Sequence, residues 1–302
     1  ERAAVSAADA LADLSACAAE HRPETVPISL HDCRTWENKN WPRRKSKFLV
    51  DRPAMTCVAH ENRTDERLHA LFTHLIGTDQ LWSSIDNWGV MRGTTNLRFD
   101  ESSAPEERPR WRHHLLPHWD CNPHLELQEV RDGLHPRRYQ GLVALVDCPV
   151  ERGTFSITPG ASPFLPQWCL ENEGHTKKRC SIKPKQSDPL CHHLQPIPLR
   201  AGEMVIWGFD GLHANVANHC ADMRVIQFIR MMPALQVQSD KDRYSPAKIW
   251  ADYPDDMARA MTMGLDQRRR RLLGLEPYPD IPLQGKPRSH REGASCIHDS
   301  EP

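Results

Sequence analysis

The sequence has almost no net charge, since 39 lysines and arginines stand against 40 aspartates and glutamates, a formal charge of -1 at pH 7. Such a balance provides no long-range attraction to nucleic acid or to an anionic membrane surface. The chain also lacks any apolar run near the roughly 20 residues needed to cross a bilayer. The basic run Arg268–Arg271 is typical of a solvated helix face. We therefore expect neither nucleic acid nor a membrane as a partner.

Closely spaced cysteine pairs, which are common in zinc modules, are also missing. The ten cysteines are scattered through 302 residues, a chain long enough to fold without crosslinks. We interpret them as reduced thiols, which favours an intracellular reducing compartment. The sequence starts ERAAVSAADA, with neither Met nor the apolar stretch of a signal peptide, so we expect it to begin inside a longer product.

The length favours one domain over residues 1–302, and 25 prolines with 15 glycines indicate many turns and loops. Within it we expect an N-terminal helical region, a β-rich core, and a C-terminal helical extension ending in a tail. These parts cover residues 1–80, 81–235 and 236–302. The core contains a polar, irregular insertion at 164–195, which we place on the surface.

Helical periodicity is clear in three places. Residues 3–19 are rich in alanine, and from Thr64 apolar residues recur at helical spacing up to Gly77, which suits a C-terminal cap. The third segment is 255–273, and the chain from Pro277 onward is interpreted as a trailing tail. Residues 21–63 show no clear period.

The middle of the chain consists of short runs rich in β-branched and aromatic residues, separated by Gly, Pro, Asn or Asp. This pattern is typical of the strands of a sandwich or barrel. The predicted strands are 87–92, 95–99, 117–121, 139–147, 153–158, 196–199, 203–208, 212–216 and 223–231.

One candidate site begins at His118-Trp119-Asp120. On a strand, residues i and i+2 point to the same side, so the imidazole and the carboxylate face one spot. Two histidines and one carboxylate on one face of a metal suit Fe(II) enzymes, which need the opposite positions free. His213, after a strand-like run and a glycine-containing turn, is the candidate for the second histidine.

Arg224 opens a strand on which Ile226 and Phe228 share its face. Burying an unpaired charge costs several kcal/mol, so this guanidinium needs an anion. The far carboxylate of a dicarboxylate offers it a bidentate partner, and a structural ion pair with an Asp or Glu is the alternative.

The order HxD, a histidine 95 residues after the first, and an arginine 11 residues later resembles the phytanoyl-CoA dioxygenase family of Fe(II)/2-oxoglutarate oxygenases. The resemblance extends through RYQGLVALVDCPVERGTFSITPGAS and GEMVIWGFDGLHAN. It covers roughly residues 80–232.

The resemblance implies a mainly β protein with flanking helices, built on a double-stranded β-helix, the jelly-roll or cupin-like barrel. It implies that His118, Asp120 and His213 hold Fe(II) and that Arg224 binds 2-oxoglutarate. Asn215 matches a position near the co-substrate carboxylate, and Gln140 is a candidate to face the same pocket or the surface. The implied reaction hydroxylates a C–H bond of a small molecule with O2, releases succinate and CO2, and uses ascorbate as a candidate reductant.

Three other readings remain open. The insertion contains several potential zinc ligands, namely Cys169, His175, Cys180, Cys191, His192 and His193. The chain could instead be an inactive member of the fold that binds a ligand or a partner protein. A zinc hydrolase using the same two histidines and aspartate is the third reading, and it gives Arg224 no role.

Overall fold

The architecture is that of a computed structural model, which describes residues 1–42, 44–46, 48–133, 137–172, 181–234, 250, 262–279 and 281. It contains antiparallel β-sheets flanked by helices. The helices are α1 (Arg2–Ala19), α2 (Cys57–Arg63), α3 (Glu66–Ile76), α4 (Pro123–Arg131), α5 (Leu165–Glu171) and α6 (Gln267–Leu272). In the described part of the chain, no helix combines the length and apolar character that a membrane span requires.

Both helices predicted in the first 80 residues are present. In α1, Ala7, Leu11 and Leu14 lie on one buried face at helical spacing. α3 begins after Asp65, whose side chain accepts a hydrogen bond from the Arg67 amide. It ends at Gly77, whose φ of 86° is the left-handed conformation that glycine adopts without strain.

The N-terminal region is not purely helical, and in this respect the prediction is wrong. Residues 21–63 supply α2 and two short strands, β1 (Arg44–Ser46) and β2 (Leu49–Pro53). These strands extend the larger sheet, so the β structure begins before residue 81.

The larger sheet has six strands in the order β1-β2-β4-β11-β6-β9. Its further members are β4 (Asn87–Met91), β6 (Tyr139–Ala144), β9 (Met204–Gly208) and β11 (Arg224–Ile229). β11 lies between β4 and β6, with Arg224 opposite Met91, so both of its edges are hydrogen-bonded. Five of its six residues are buried, so both faces of the strand are covered by protein.

The smaller sheet has four strands in the order β5-β10-β7-β8. They are β5 (Leu115–His118), β7 (Phe155–Ile157), β8 (Gln195–Ile197) and β10 (His213–Asn215). A separate two-stranded sheet pairs β3 (Leu81–Ser83) with β12 (Met231–Pro233). One apolar cluster joins the two larger sheets, since Phe155 of β7 packs with Leu142, Trp207 and Ile226 of the six-stranded sheet.

Most predicted strands are present, usually one to three residues shorter than predicted. The prediction at 95–99 is wrong, because this segment forms only an isolated bridge between Leu97 and Glu106. Segment 117–121 is shifted, since β5 ends at His118 and Asp120 lies beyond it. The last predicted strand is divided into β11 and β12.

The insertion at 164–195 is more ordered than predicted. It contains α5 and a 3-10 helix, Pro189–His193, and its residues Leu165, Trp168 and Ile182 are buried. Residues 173–180 lie outside the described part of the chain.

The C-terminal prediction is tested only in part. α6 falls within the predicted helix 255–273, of which 255–261 lies outside the described residues. The chain after Pro277 does not simply trail away. Tyr278 is buried, and its hydroxyl binds both the N–H and the carbonyl oxygen of Leu81 in β3, at 3.1 and 2.7 Å.

Candidate metal and co-substrate site

The two histidines of the candidate metal site lie opposite each other on neighbouring strands. His118 ends β5, His213 begins β10, and the register pairs them directly. Their ring centroids are 4.4 Å apart, and both residues are buried. The pairing of β5 with β10 therefore brings together two histidines that are far apart in sequence.

Asp120 completes a group of three potential ligands. Its Oδ1 lies 3.3 Å from His118 Nε2, and its Oδ2 lies 3.3 Å from His213 Nε2. One ligand atom from each residue falls within 4.8 Å of the others, a spacing that a single metal ion can span. Because 41% of the Asp120 side chain remains accessible, the group is open on one side.

Backbone carbonyls fix the orientation of both imidazoles. His118 Nδ1 lies 2.8 Å from the carbonyl oxygen of Leu116, and His213 Nδ1 lies 3.0 Å from that of Gly211. A carbonyl only accepts, so both Nδ1 atoms donate, and Nε2 of each imidazole is the atom turned toward Asp120 and available to a metal ion once it carries no proton. This is the usual arrangement of metal-binding histidines.

The electrostatics keep Asp120 ionised. Burial by itself raises the pKa of this carboxyl, but His213 and His118 outweigh it, and the pKa lies well below the ordinary value. Gln140, on β6, donates from Nε2 to Asp120 Oδ2 at 2.9 Å. The structure thus places Gln140 beside the candidate metal ligand, and it orients one carboxylate oxygen.

Arg224 lies inside the protein without a carboxylate partner among the described residues. It is only 1% exposed, and its Nη1 donates to Asn215 Oδ1 at 3.0 Å. Its Nε has no hydrogen-bond partner in the part of the chain that the structure describes. The ring of Phe48 lies 5.5 Å from its central carbon, so an apolar wall adjoins the guanidinium.

Desolvation is the main influence on this guanidinium. Burial lowers the pKa of Arg224, and the nearby Cys148 thiol opposes the shift. Burial likewise raises the pKa of Cys148, with Arg224 opposing. Cys148 was not singled out in the sequence, because a lone cysteine gives no signal of which side chains it will contact. Phe48 was missed because it lies in the segment without a clear period.

Two tryptophans beside the site, Trp119 and Trp207, pack in apolar clusters. Trp207 packs against Phe155 with ring centroids 4.3 Å apart, and it also flanks His213. Trp119 is fully buried and packs in a cluster formed with the insertion.

The zinc reading of the insertion is only partly testable, since His175 and Cys180 lie outside the described residues. Within the described chain, the one group of at least three potential metal ligands is His118, Asp120 and His213. Cys169 is buried and Cys191 half-buried, both as free thiols. The eight described cysteines are all free.

Comparison with known proteins supports the resemblance noted in the motifs. A search of protein-family models gives no match. A curated protein of Dictyostelium discoideum, named "Putative phytanoyl-CoA dioxygenase", is 22% identical over 249 residues. The match covers 71% of this chain and 64% of the relative, so the chain spans less than two thirds of that protein.

Among solved structures, a "Putative Oxidoreductase" from Salmonella typhimurium LT2 has a TM-score of 0.53 at 15% identity, covering 88% of this chain and 77% of the other. This likeness supports the fold alone. The epimerase SnoN, solved with Fe3+, alpha ketoglutarate and nogalamycin RO, has a TM-score of 0.39 at 19% identity. The structural match covers 59% of this chain and 60% of the SnoN chain.

Proposed function

We propose that the chain is an Fe(II)- and 2-oxoglutarate-dependent oxygenase that hydroxylates a C–H bond of a small organic molecule. In the overall reaction, substrate, O2 and 2-oxoglutarate give the hydroxylated product, succinate and CO2. The observation that carries this proposal is the combination of His118, Asp120 and His213 at one point with a buried Arg224, which is linked to β10 through Asn215 and has no carboxylate partner among the described residues.

The donor set fits a ferrous ion. Two neutral imidazoles and one carboxylate occupy one face of a metal and leave the other positions free, which is the arrangement of non-haem Fe(II) oxygenases. Zinc accepts the same donors, but a zinc hydrolase has no use for a buried guanidinium. Arg224 is therefore the residue that favours the oxygenase over the hydrolase.

The surroundings of Arg224 fit the far carboxylate of 2-oxoglutarate. A planar guanidinium with unused N–H donors binds a carboxylate in a bidentate manner, and Arg224 Nε is unused. Asn215 accepts a hydrogen bond from one edge of the guanidinium, so the Arg224 side chain is already oriented. Phe48 adjoins it on an apolar side, which suits the methylene groups of the co-substrate.

Bound iron and 2-oxoglutarate would supply dioxygen activation coupled to oxidative decarboxylation, and the protein's residues orient the reactants. His118 and His213 present Nε2 to a metal ion, because their Nδ1 protons are held by the carbonyls of Leu116 and Gly211. Gln140 keeps Asp120 turned toward the two imidazoles. Ascorbate is the reductant we propose to include in assays.

We further propose that the two larger sheets form a double-stranded β-helix within a single domain. The topology supports this, because β10 and β11 follow each other in the chain yet lie centrally in different sheets. Asn215 of the small sheet and Arg224 of the large sheet are also joined by a hydrogen bond.

Turnover of 2-oxoglutarate is the direct test. We expect succinate to form with Fe(II), ascorbate and O2, to increase with the correct substrate, and to disappear in Asp120→Ala. His192→Ala is the matched control, because His192 is exposed and lies in the insertion rather than in the site. An inactive binding protein would yield no succinate from the wild-type protein, and loss of turnover in His192→Ala would favour the zinc reading.

A further inference from the structure

The insertion at 164–195 forms hydrogen bonds and packing contacts with the residue that lies between two of the candidate metal ligands. Trp119, between His118 and Asp120, donates its N–H to the Ile182 carbonyl at 2.9 Å. It accepts in return from the Ile182 N–H at 3.1 Å. This reciprocal pair is a β-bridge outside the named strands, so the backbone at the end of β5 is fastened to the insertion.

The side chain of Trp119 is held by the same segment. Its ring packs against Trp168 of α5, with centroids 4.6 Å apart and planes inclined by 51°. Leu165, Cys169 and Ile182 complete the cluster around it. Both rings are buried and packed at a tilt against each other, so the contact fixes the position of Trp119.

Two connections lead from this cluster to the second histidine. The first is direct, because Trp119 Nε1 donates to the carbonyl oxygen of Asp210 at 3.1 Å, in the turn that precedes His213. The second starts at Trp168, whose Nε1 donates to Asp188 Oδ2 at 2.7 Å. Asp188 Oδ1 in turn accepts from the Leu190 amide at 2.9 Å.

The second connection returns to the small sheet. Thr158 Oγ1 donates to the carbonyl oxygen of Leu190 at 2.8 Å. The Thr158 amide donates to the carbonyl oxygen of Leu212 at 2.9 Å, and Leu212 immediately precedes His213. The insertion thus contacts both ligand-bearing segments and links them outside the sheet.

We infer that the insertion is a positioning element of the metal site and that Trp168 is a positioning residue acting through Trp119. The inference rests on the proposed function of the three ligands. Asp120 lies beyond the end of β5 and is exposed on one side, so the turn at Trp119 determines where its carboxylate stands. Groups that orient metal ligands typically contribute 10- to 100-fold to metal affinity.

The test is Co(II) binding by the full chain, measured as the dissociation constant and as the visible absorption of bound Co(II), which reports ligand geometry. We expect Trp168→Ala to raise the dissociation constant about tenfold and to change the spectrum, while Trp168→Phe keeps most of the affinity. Trp82→Ala is the matched control, because Trp82 is equally buried but packs in a separate cluster with Met232 and Tyr278. All titrations are run below the melting temperature of the least stable variant.

A second pair of variants covers the case in which Trp168→Ala does not fold. Asp188→Ala removes the acceptors of both the Trp168 and the Leu190 hydrogen bonds, and Asp188→Asn restores one of these two acceptors. We expect the first to weaken Co(II) binding and the second to recover part of it. Unchanged binding and spectra in both Trp168→Ala and Asp188→Ala, or an equal change in Trp82→Ala, overturn the inference. Failure of the wild-type protein to bind Co(II) overturns the proposed metal site itself, and this is seen before any variant is made.

Discussion

His118 and His213 are directly opposed residues of two antiparallel strands, with ring centroids 4.4 Å apart. Each imidazole is fixed by a carbonyl two residues before it in sequence, at Leu116 and Gly211. The pairing of β5 with β10 therefore determines both where the two Nε2 atoms meet and which way they point. Several consequences can be measured.

Replacing Arg224 by Met separates its role in binding from its role in stability. We expect wild-type protein to gain about 2.7 kcal/mol of stability when 2-oxoglutarate, added with a divalent metal, reaches 100 times its dissociation constant. Arg224→Met should lose this gain. It should not be less stable without ligand, because the change removes a buried charge that no carboxylate partners among the described residues.

Arg63→Met is the control for that experiment, since Arg63 is also fully buried but donates to the Ala54 carbonyl, away from the site. Thermal unfolding with and without 2-oxoglutarate measures both quantities. We expect Arg63→Met to lower the melting temperature and to keep the ligand-induced shift. A normal ligand shift in Arg224→Met would contradict the assigned role of Arg224.

Gln140 is expected to support the metal site through Asp120. Replacing Gln140 by Leu removes the 2.9 Å hydrogen bond to Asp120 Oδ2 and should weaken metal binding about tenfold, as for other groups that orient ligands. The affinity for 2-oxoglutarate should change only as a consequence of metal loss. Gln195→Leu, at an exposed position of β8, is the control. Metal titrations that give equal affinities for the two variants would rule out this role.

His60 should make the protein sensitive to acid. Burial lowers the pKa of His60 well below its ordinary value of 6.5, and the charge of Arg63 acts in the same direction. Below pH 6.5 the unfolded chain therefore takes up a proton that the folded protein does not. Because of this group, the free energy of unfolding decreases by up to about 1.4 kcal/mol for each unit by which the pH is lowered.

The measurement is urea unfolding between pH 7.5 and 5.5. His60→Asn cannot titrate, yet it keeps an acceptor for Arg63, so its stability should fall less steeply than that of the wild-type protein. His31→Gln, in an exposed loop, should retain the wild-type slope. Parallel slopes for all three proteins would refute the prediction.

Tyr278 should fasten the C-terminal segment to β3. Burial raises the pKa of Tyr278 to about 12, so its hydroxyl stays protonated while it binds Leu81. Tyr278→Phe leaves the buried N–H and carbonyl of Leu81 without this partner and should lower the free energy of unfolding by about 1–3 kcal/mol. Urea unfolding measures the change, and a loss below about 0.5 kcal/mol would show that the hydroxyl contributes little.

The sequence predicted the parts of this fold whose signal is local. α1 and α3 carry a helical period, and α3 also has its capping residues Asp65 and Gly77. The positions of His118, Asp120, His213 and Arg224 followed from short motifs and from a family resemblance. Their convergence was predicted, and the structure brings the three potential ligands together.

The parts that were missed depend on contacts distant in sequence. α4 is an exception, because Asn122 as its cap and Pro123 in its first turn are a local signal that we did not interpret as a helix start. β1 and β2 are short, and their pairing depends on distant residues, because β2 pairs with β4 and β1 pairs with β2. The insertion appeared irregular because its order comes from Trp168 packing on Trp119, which no local pattern encodes.

The central claim, that His118, Asp120 and His213 share one metal ion, is tested most directly by anaerobic calorimetric titration of Fe(II) into the full chain. We predict that the wild-type protein and His192→Ala each bind one equivalent of Fe(II). In His213→Ala, which lacks a direct ligand, the affinity for Fe(II) should fall by well over 100-fold, the upper end of the effect of residues that only orient ligands. Equal binding of Fe(II) by His213→Ala and the wild-type protein would contradict the account.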